Sequence, residues 1–312
     1  MRICQQLTRT VGKFPEKLKF QQLIYVESPS EVLAEVKKVI SLLFPYFDFS
    51  HFQKVFGDIL QLFAGRYPGY RSCNTLYHDL NHTMDCLLAM ARLMHGAFVS
   101  GTIFTEKDVN LGLISALMHD TGYIQLIDDR QGTGAKYTII HIRRSMEFME
   151  KYLIDNGYSL ESFPACCDFL RCTGIDVKID EIEFQSPEHE ILGKILGTAD
   201  LVGQMADKHY LEKLPLLYHE FKEGGVSGFD SEFDLLKKTP HFWEMVKERF
   251  AREFSCVDGY LRDYFRVRWG IDQDLYRNAI DRNVEWLRTF LEHCAADYSS
   301  RPECEDPVML FG

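Results

Sequence analysis

Nowhere in this chain do about eighteen apolar residues run together, so no segment reads as a transmembrane helix. Strand patterning, with Val, Ile and Thr alternating against polar residues, is nearly absent, which argues against a sheet protein. Cysteine pairs at CxxC spacing are missing, and the nine cysteines (Cys4, Cys73, Cys86, Cys166, Cys167, Cys172, Cys256, Cys294 and Cys304) are odd in number. That excludes a disulfide framework and predicts reduced, mostly buried thiols in a cytoplasmic protein. Cys166, Cys167 and Cys172 lack a fourth ligand at zinc-site spacing and read as small core residues. Positive charge is also short. The 35 Lys and Arg face 46 Asp and Glu, a net charge of −11 that excludes a general phosphate-backbone-binding surface. The N-terminus carries Arg2, Lys13, Lys17 and Lys19 without a continuous apolar stretch, so it does not read as a signal peptide. Repeats and low-complexity tracts are absent too.

What remains is helical periodicity, and the expected fold is all-α. At 312 residues, 46% of them hydrophobic, the chain can bury a full core. Residues 1–27 are ambiguous. From Ser30, Val32, Leu33, Val36, Val39, Ile40 and Leu43 recur at helical spacing until Pro45, and a second helix runs from about Phe52 to Phe63. Met84, Leu87, Leu88, Ala91 and Met94 form a third stripe. Thr105 with Asp108 resembles a capping box opening a helix that leads to His119–Asp120 and ends at Gly122. Residues 121–136 read as a mobile loop. Ile139, Ile142, Met146, Met149 and Leu153 mark the next helix, and a shorter one spans roughly 160–172. Ser186–Pro187 is a good cap and first-turn pair for a helix carrying Asp200 to about Leu214. Gly224, Gly225 and Gly228 precede two or three further helices to about Ala295, and the tail from Ser299 reads as loose. The expected organisation is a helical extension over 1–70, a metal-binding core over 71–215, and C-terminal helices over 216–312 packed on that core.

The residues that carry chemistry are His82, the adjacent pair His119–Asp120, and Asp200. Imidazole nitrogen and carboxylate oxygen suit Mg, Mn, Fe, Zn or Co, and one or two divalent ions are the expected cofactor. A carboxylate after Leu117–Met118 is costly to bury without a partner cation, and Asp120 can bridge two ions. Asp200 follows Leu192 and Leu196 at i+4 steps, which places it on or beside a buried helix face. Gly193, Gly197, Ala199 and Gly203 there permit close backbone approach. In Tyr77-His78-Asp79-Leu80-Asn81-His82 two histidines stand at i, i+4 and would share a face on a helix. One can ligate while the other serves as an acid.

The order His, then His-Asp, then Asp resembles the HD-domain superfamily of metal-dependent phosphohydrolases over roughly residues 75–205. Tyr-His-Asp-x-x-His is also similar to the Tyr-His-Asn-x-x-His of class I cyclic-nucleotide phosphodiesterases. The resemblance implies an all-helical fold with one or two divalent metals, in which His82, His119, Asp120 and Asp200 ligate and His78 protonates the leaving oxygen. Asp79 stands where the phosphodiesterases have Asn, and the Thr-Gly-Tyr after Asp120 lacks their further histidine. His141 resembles the helix-borne histidine that in many such proteins approaches a second metal or the phosphate.

The implied function is a phosphohydrolase, in its narrower form a phosphodiesterase, acting on a nucleotide or similar small phosphate ester through a metal-activated water. Its partners would be that small phosphorylated substrate, with no extended nucleic acid and no membrane. Two other readings share the scaffold: a di-iron oxygenase, and a non-catalytic signalling module with a structural metal. Arg143 and Arg144 read as helix-surface ion-pairing groups, and Lys136 as a loop cation within reach of a phosphate. His189 is eleven residues from Asp200, ~16 Å along a helix, so the two cannot share an ion. His209 and His219 have no comparable setting. Phe242, Trp243, Trp269 and Trp286 read as packing residues.

Overall fold

The computed structural model describes residues 23–299, with side chains through Cys294. The expectations for the N-terminal arm up to residue 22 and for the tail after Ser299 lie outside the described residues. Eleven α-helices and no strand occur among those described, with one isolated bridge between Tyr70 and Leu126. The all-α fold follows from the helical spacing of apolar residues. The helices are α1 (Pro29–Leu43), α2 (Ser50–Phe63), α3 (Leu80–Val99), α4 (Glu106–Met118), α5 (His141–Asp155), α6 (Phe163–Arg171), α7 (Pro187–Ala206), α8 (Tyr210–Glu223), α9 (Glu232–Arg252), α10 (Tyr260–Trp269) and α11 (Leu275–Ser299).

Local chemistry sets the starts. Ser28 and Glu31 close a capping box on α1, as Thr105 and Asp108 do on α4. Ser186 accepts from the His189 amide ahead of Pro187, so α7 begins where its cap and proline direct.

α3 is the axis of the molecule. Fifteen of its twenty residues are buried, so it is covered on every side rather than along one stripe. α7, α10, α1 and α4 pack around it. α1, the core helices and α10–α11 feed one continuous apolar cluster. The buried Arg92 of α3 donates to the Leu23 and Ile24 carbonyls and to the Tyr276 hydroxyl, tying both ends of the described chain to the axis. No helix among the described residues is long and apolar enough to cross a membrane.

Several element ends differ from the sequence reading. α4 stops at Met118, not Gly122, because the Thr121 hydroxyl takes the Met118 carbonyl and Ser145 takes that of His119. The helix carrying Asp200 ends at Ala206, where Asp207 turns extended, and a separate helix starts at Tyr210. Ile139 is not on α5: it lies in a 3-10 turn spanning Gly134–Ile140, 71% exposed. The 121–136 segment is closed on itself. Asp129 accepts from Lys136 and Tyr137, Gln125 donates to the Gln131 carbonyl, and Arg71 holds the Asp129 carbonyl. Trp269 is 46% exposed rather than in the core, with Arg268 over its ring. Trp243 is buried and Trp286 stacks on Phe290. Cys166 and Cys172 are buried free thiols and Cys167 is half-buried.

Candidate metal centre

Three helix ends and one helix middle deliver the four ligand candidates to one point. His82 is in the first turn of α3, His119 caps the C-terminus of α4, Asp120 begins the turn after it, and Asp200 lies in the third quarter of α7. The His82 and His119 Nε2 atoms are 3.3 Å apart. Asp200 Oδ1 lies 3.1 Å from the first and 3.6 Å from the second, and Asp120 Oδ2 lies 3.2 and 3.3 Å from them. Ligand atoms ~2.1 Å from a shared cation stand about 3.0–3.4 Å apart in octahedral or tetrahedral arrangement. The observed separations are of that size. His82, His119 and Asp200 form a mutual triplet within 4.8 Å, and Asp120 Oδ2 approaches its two imidazoles.

The donor atoms fit a divalent ion by chemistry as well as by spacing. His119 Nδ1 donates to the Ala116 carbonyl at 2.8 Å, which leaves Nε2 as a lone pair aimed at the cluster. Asp120 Oδ2 is buried without a hydrogen-bond partner. His82 Nδ1 is also buried and unpartnered, so no protein group fixes its tautomer. Burial alone would lower the pKa of the His82 imidazole, but Asp120 and Asp200 outweigh it and raise His82 to about 9. His119 is likewise raised well above its ordinary value despite burial, chiefly by Asp120. Burial opposes ionisation of Asp120, yet His119 and His82 hold its carboxyl well below the usual range, and Asp200 is lowered by the same imidazoles. Two carboxylates here demand two positive charges. Two protons can supply them, and so can one divalent cation.

The backbone holds this geometry tightly. Ser145 Oγ donates to the His119 carbonyl and accepts from the Gly122 amide. A Cβ on Gly122 would lie 1.9 Å from the His141 carbonyl, so glycine lets the start of α5 close on the His119–Asp120 turn. On α7, a Cβ at Gly197 would sit 2.4 Å from the Cys172 carbonyl. Gln204, one turn after Asp200, donates to the Asp200 carbonyl at 3.1 Å and accepts from Tyr77 Oη at 2.7 Å.

His78 does not share a helix face with His82. Asp79 caps α3 by accepting from the His82 amide at 2.9 Å, so His78 precedes the first turn. Its ring nevertheless lies edge-on to that of His82, 5.6 Å between centroids. His78 Nδ1 is 2.7 Å from Glu220 Oε2, and the other oxygen of Glu220 accepts from the Leu76 and Tyr77 amides at 2.6 Å each. Glu220 lies on α8, beyond the expected core boundary at 215, and no local motif marks it. Tyr123, also missed by the sequence reading, stacks on both His78 and His141, at 4.5 and 4.6 Å between centroids, and the two imidazoles are 6.4 Å from each other.

His141 Nε2 stands 3.7 Å from Asp120 Oδ1, the oxygen not facing His82 and His119. Its Nδ1 donates to the Thr138 carbonyl at 2.6 Å, and burial lowers its pKa, which favours a neutral imidazole with Nε2 as acceptor. The centre opens where the side chains of Asp200, His78 and His141 are 13%, 15% and 20% exposed.

Other candidates go elsewhere. Arg144 donates to the Gly122 and Ile124 carbonyls, Arg143 pairs with Glu147, and Lys136 with Asp129. His189 meets Asp108, His209 meets Glu212, and His219 meets Glu232.

No curated protein and no solved structure matches the sequence. A family model does, over residues 48–258, a span that includes every residue of the centre and the Glu220 that contacts His78. The chain belongs to the Npun_R2479-like family.

Proposed function

We propose that this protein is a divalent-metal-dependent phosphohydrolase that cleaves a small phosphate ester, in the manner of the HD-type hydrolases its ligand order resembles. One observation carries the reading. A buried two-histidine, two-carboxylate cluster stands beside a histidine, His78, that is not needed as a ligand and is held by its own carboxylate, Glu220. A site that only held a structural ion would have no use for that second pair.

His82, His119, Asp120 and Asp200 would hold one ion, and Asp120 with His141 could reach a second. A divalent cation bound there supplies Lewis acidity toward a phosphoryl oxygen and acidifies water. Asp120, with oxygens facing two sides, orients the attacking water and accepts its proton. Nδ1 of His78 donates to the Glu220 carboxylate, which fixes the ring, and Nε2 would deliver the proton to the departing oxygen. His82, His119 and Asp120 are themselves buried, which keeps bulk water off the ligand side of the cluster.

The test is metal analysis of the purified protein together with hydrolysis of phosphodiesters, phosphomonoesters and nucleotides in Mn, Mg, Zn and Fe. His78→Ala should lower turnover with metal content unchanged, whereas Asp120→Ala should lose metal and activity together. Full activity in both variants would sink the assignment.

A further inference from the structure

Asp200 is the ligand candidate least enclosed by the fold. Its side chain is 13% exposed, against 5% for Asp120, 3% for His82 and 1% for His119. An aspartate side chain rotates about both of its bonds, so a carboxylate at the open edge keeps a ligand geometry only when a neighbour orients it. Apart from the two imidazoles, the group that hydrogen-bonds this carboxylate among the described residues is Gln204, one turn further along α7.

The Gln204 amide is set from both sides. Its Nε2 faces two oxygens of Asp200, the main-chain carbonyl at 3.1 Å and Oδ1 at 3.4 Å, and only the nitrogen end of an amide can donate to both. Oε1 is thereby turned to the Tyr77 hydroxyl, which donates to it at 2.7 Å across 127 residues of chain. Oδ1 is also the oxygen 3.1 Å from His82 Nε2, so Gln204 acts on the atom that would meet the ion.

Tyr77 is fixed in its turn. It is buried, its ring lies edge-on to His78 at 5.0 Å, and its amide donates to Glu220 Oε1, whose partner oxygen meets His78 Nδ1. The side chain of Tyr77 thus reaches toward a ligand while its backbone shares the anchor of the candidate acid.

Other groups brace the end of α7 without passing through Gln204. Tyr25 Oη donates to the Ala206 carbonyl at 2.9 Å, and Asn283 Nδ2 donates to the Met205 and Asp207 carbonyls at 2.9 and 3.1 Å. These bonds satisfy carbonyls that a helix C-terminus leaves unpaired. The Tyr77–Gln204 contact has a different object, the Asp200 carboxylate.

From this we infer that Gln204 is a positioning residue for the ligand Asp200, and that Tyr77 acts through Gln204 to hold that carboxylate in register with the His78 loop. The inference rests on the metal-dependent hydrolase reading and adds to it two residues that bind no ion themselves. Their effect is on the affinity and coordination geometry of the bound ion.

Co(II) is the probe, titrated into full-length protein stripped with a chelator and read by its visible absorption, which reports coordination number and geometry. Gln204→Met keeps the length of the side chain without its polar end. It should weaken Co(II) binding about 10- to 100-fold and alter the spectrum, as loss of a ligand's hydrogen-bond partner does. Tyr77→Phe deletes one oxygen and should weaken binding about tenfold. The double variant should bind no worse than Gln204→Met alone, because the hydroxyl acts through the amide. Tyr25→Phe removes a hydroxyl from the same helix end without touching Gln204, and should bind Co(II) as the parent does. Circular dichroism should be unchanged in every variant. Parental affinity and spectrum in Gln204→Met or Tyr77→Phe, losses that add in the double variant, or an equal loss in Tyr25→Phe overturns the inference and leaves the hydrolase reading intact. A parent protein that takes up no Co(II) removes both.

Discussion

Glu220 changes what His78 can do. A histidine near a metal cluster can be a ligand, a proton donor or a packing residue, and residue type alone does not choose. The Nδ1 contact to a carboxylate whose other oxygen is bound by two amides fixes the ring and its Nδ1–H tautomer. Glu220→Gln keeps the size and one acceptor but removes the charge. Turnover should fall about 10- to 100-fold with metal content unchanged, because the ring then loses the acceptor that orients its proton. Wild-type turnover would reduce Glu220 to a loop anchor. The four ligand candidates were legible from the sequence because few residue types suit such ions. Glu220 was not, since 142 residues separate it from His78 and its partners are a side chain and two amides in a loop.

At the level of elements, the capped helix starts were readable, whereas the ends beside the centre were not. Thr105–Asp108 and Ser186–Pro187 cap within four residues of chain, so their chemistry is local. The end of α4 depends on Ser145, 26 residues away from the His119 carbonyl it binds, and no pattern near Met118 announces it. Gly122 illustrates the same dependence. Its role is to admit the His141 carbonyl, which only the packed α5 places there. Gly122→Ala should therefore destabilise the fold by about 1–3 kcal/mol, as an overpacked backbone contact does. Gly57→Ala, mid-helix in α2 with open space around it, should instead stabilise by up to about 1 kcal/mol. Urea denaturation of both variants checks the pair, and the same sign for both would refute the contact argument.

Over the whole molecule, burial decides the state of groups with no part in the centre. Asp274 precedes α11 and accepts from the Arg277 amide. Desolvation, with Asp258 nearby, raises its carboxyl to about 7. A folded pKa above the unfolded value of about 3.9 means that the folded state binds the extra proton. This contribution to stability is complete below pH ~4 and is lost as pH rises through about 7. Asp274→Asn retains a capping side chain and cannot ionise, so it should gain on the parent by roughly 1–3 kcal/mol between pH 5 and 8. Parallel stability–pH curves would show that Asp274 ionises normally.

The sequence by itself determined the helical class, the caps and the set of residues able to bind a cation. Each of these depends on periodicity, on neighbours within a turn, or on side-chain chemistry. Tertiary structure alone decided the rest. It brought His82, His119, Asp120 and Asp200 from three separate stretches to within 3.1–3.6 Å across the two imidazoles. It placed His78 before a helix rather than on one and supplied Glu220 from α8. The physical reason is that side-chain convergence and burial are set by how helices pack around α3, and packing joins residues that the chain keeps far apart.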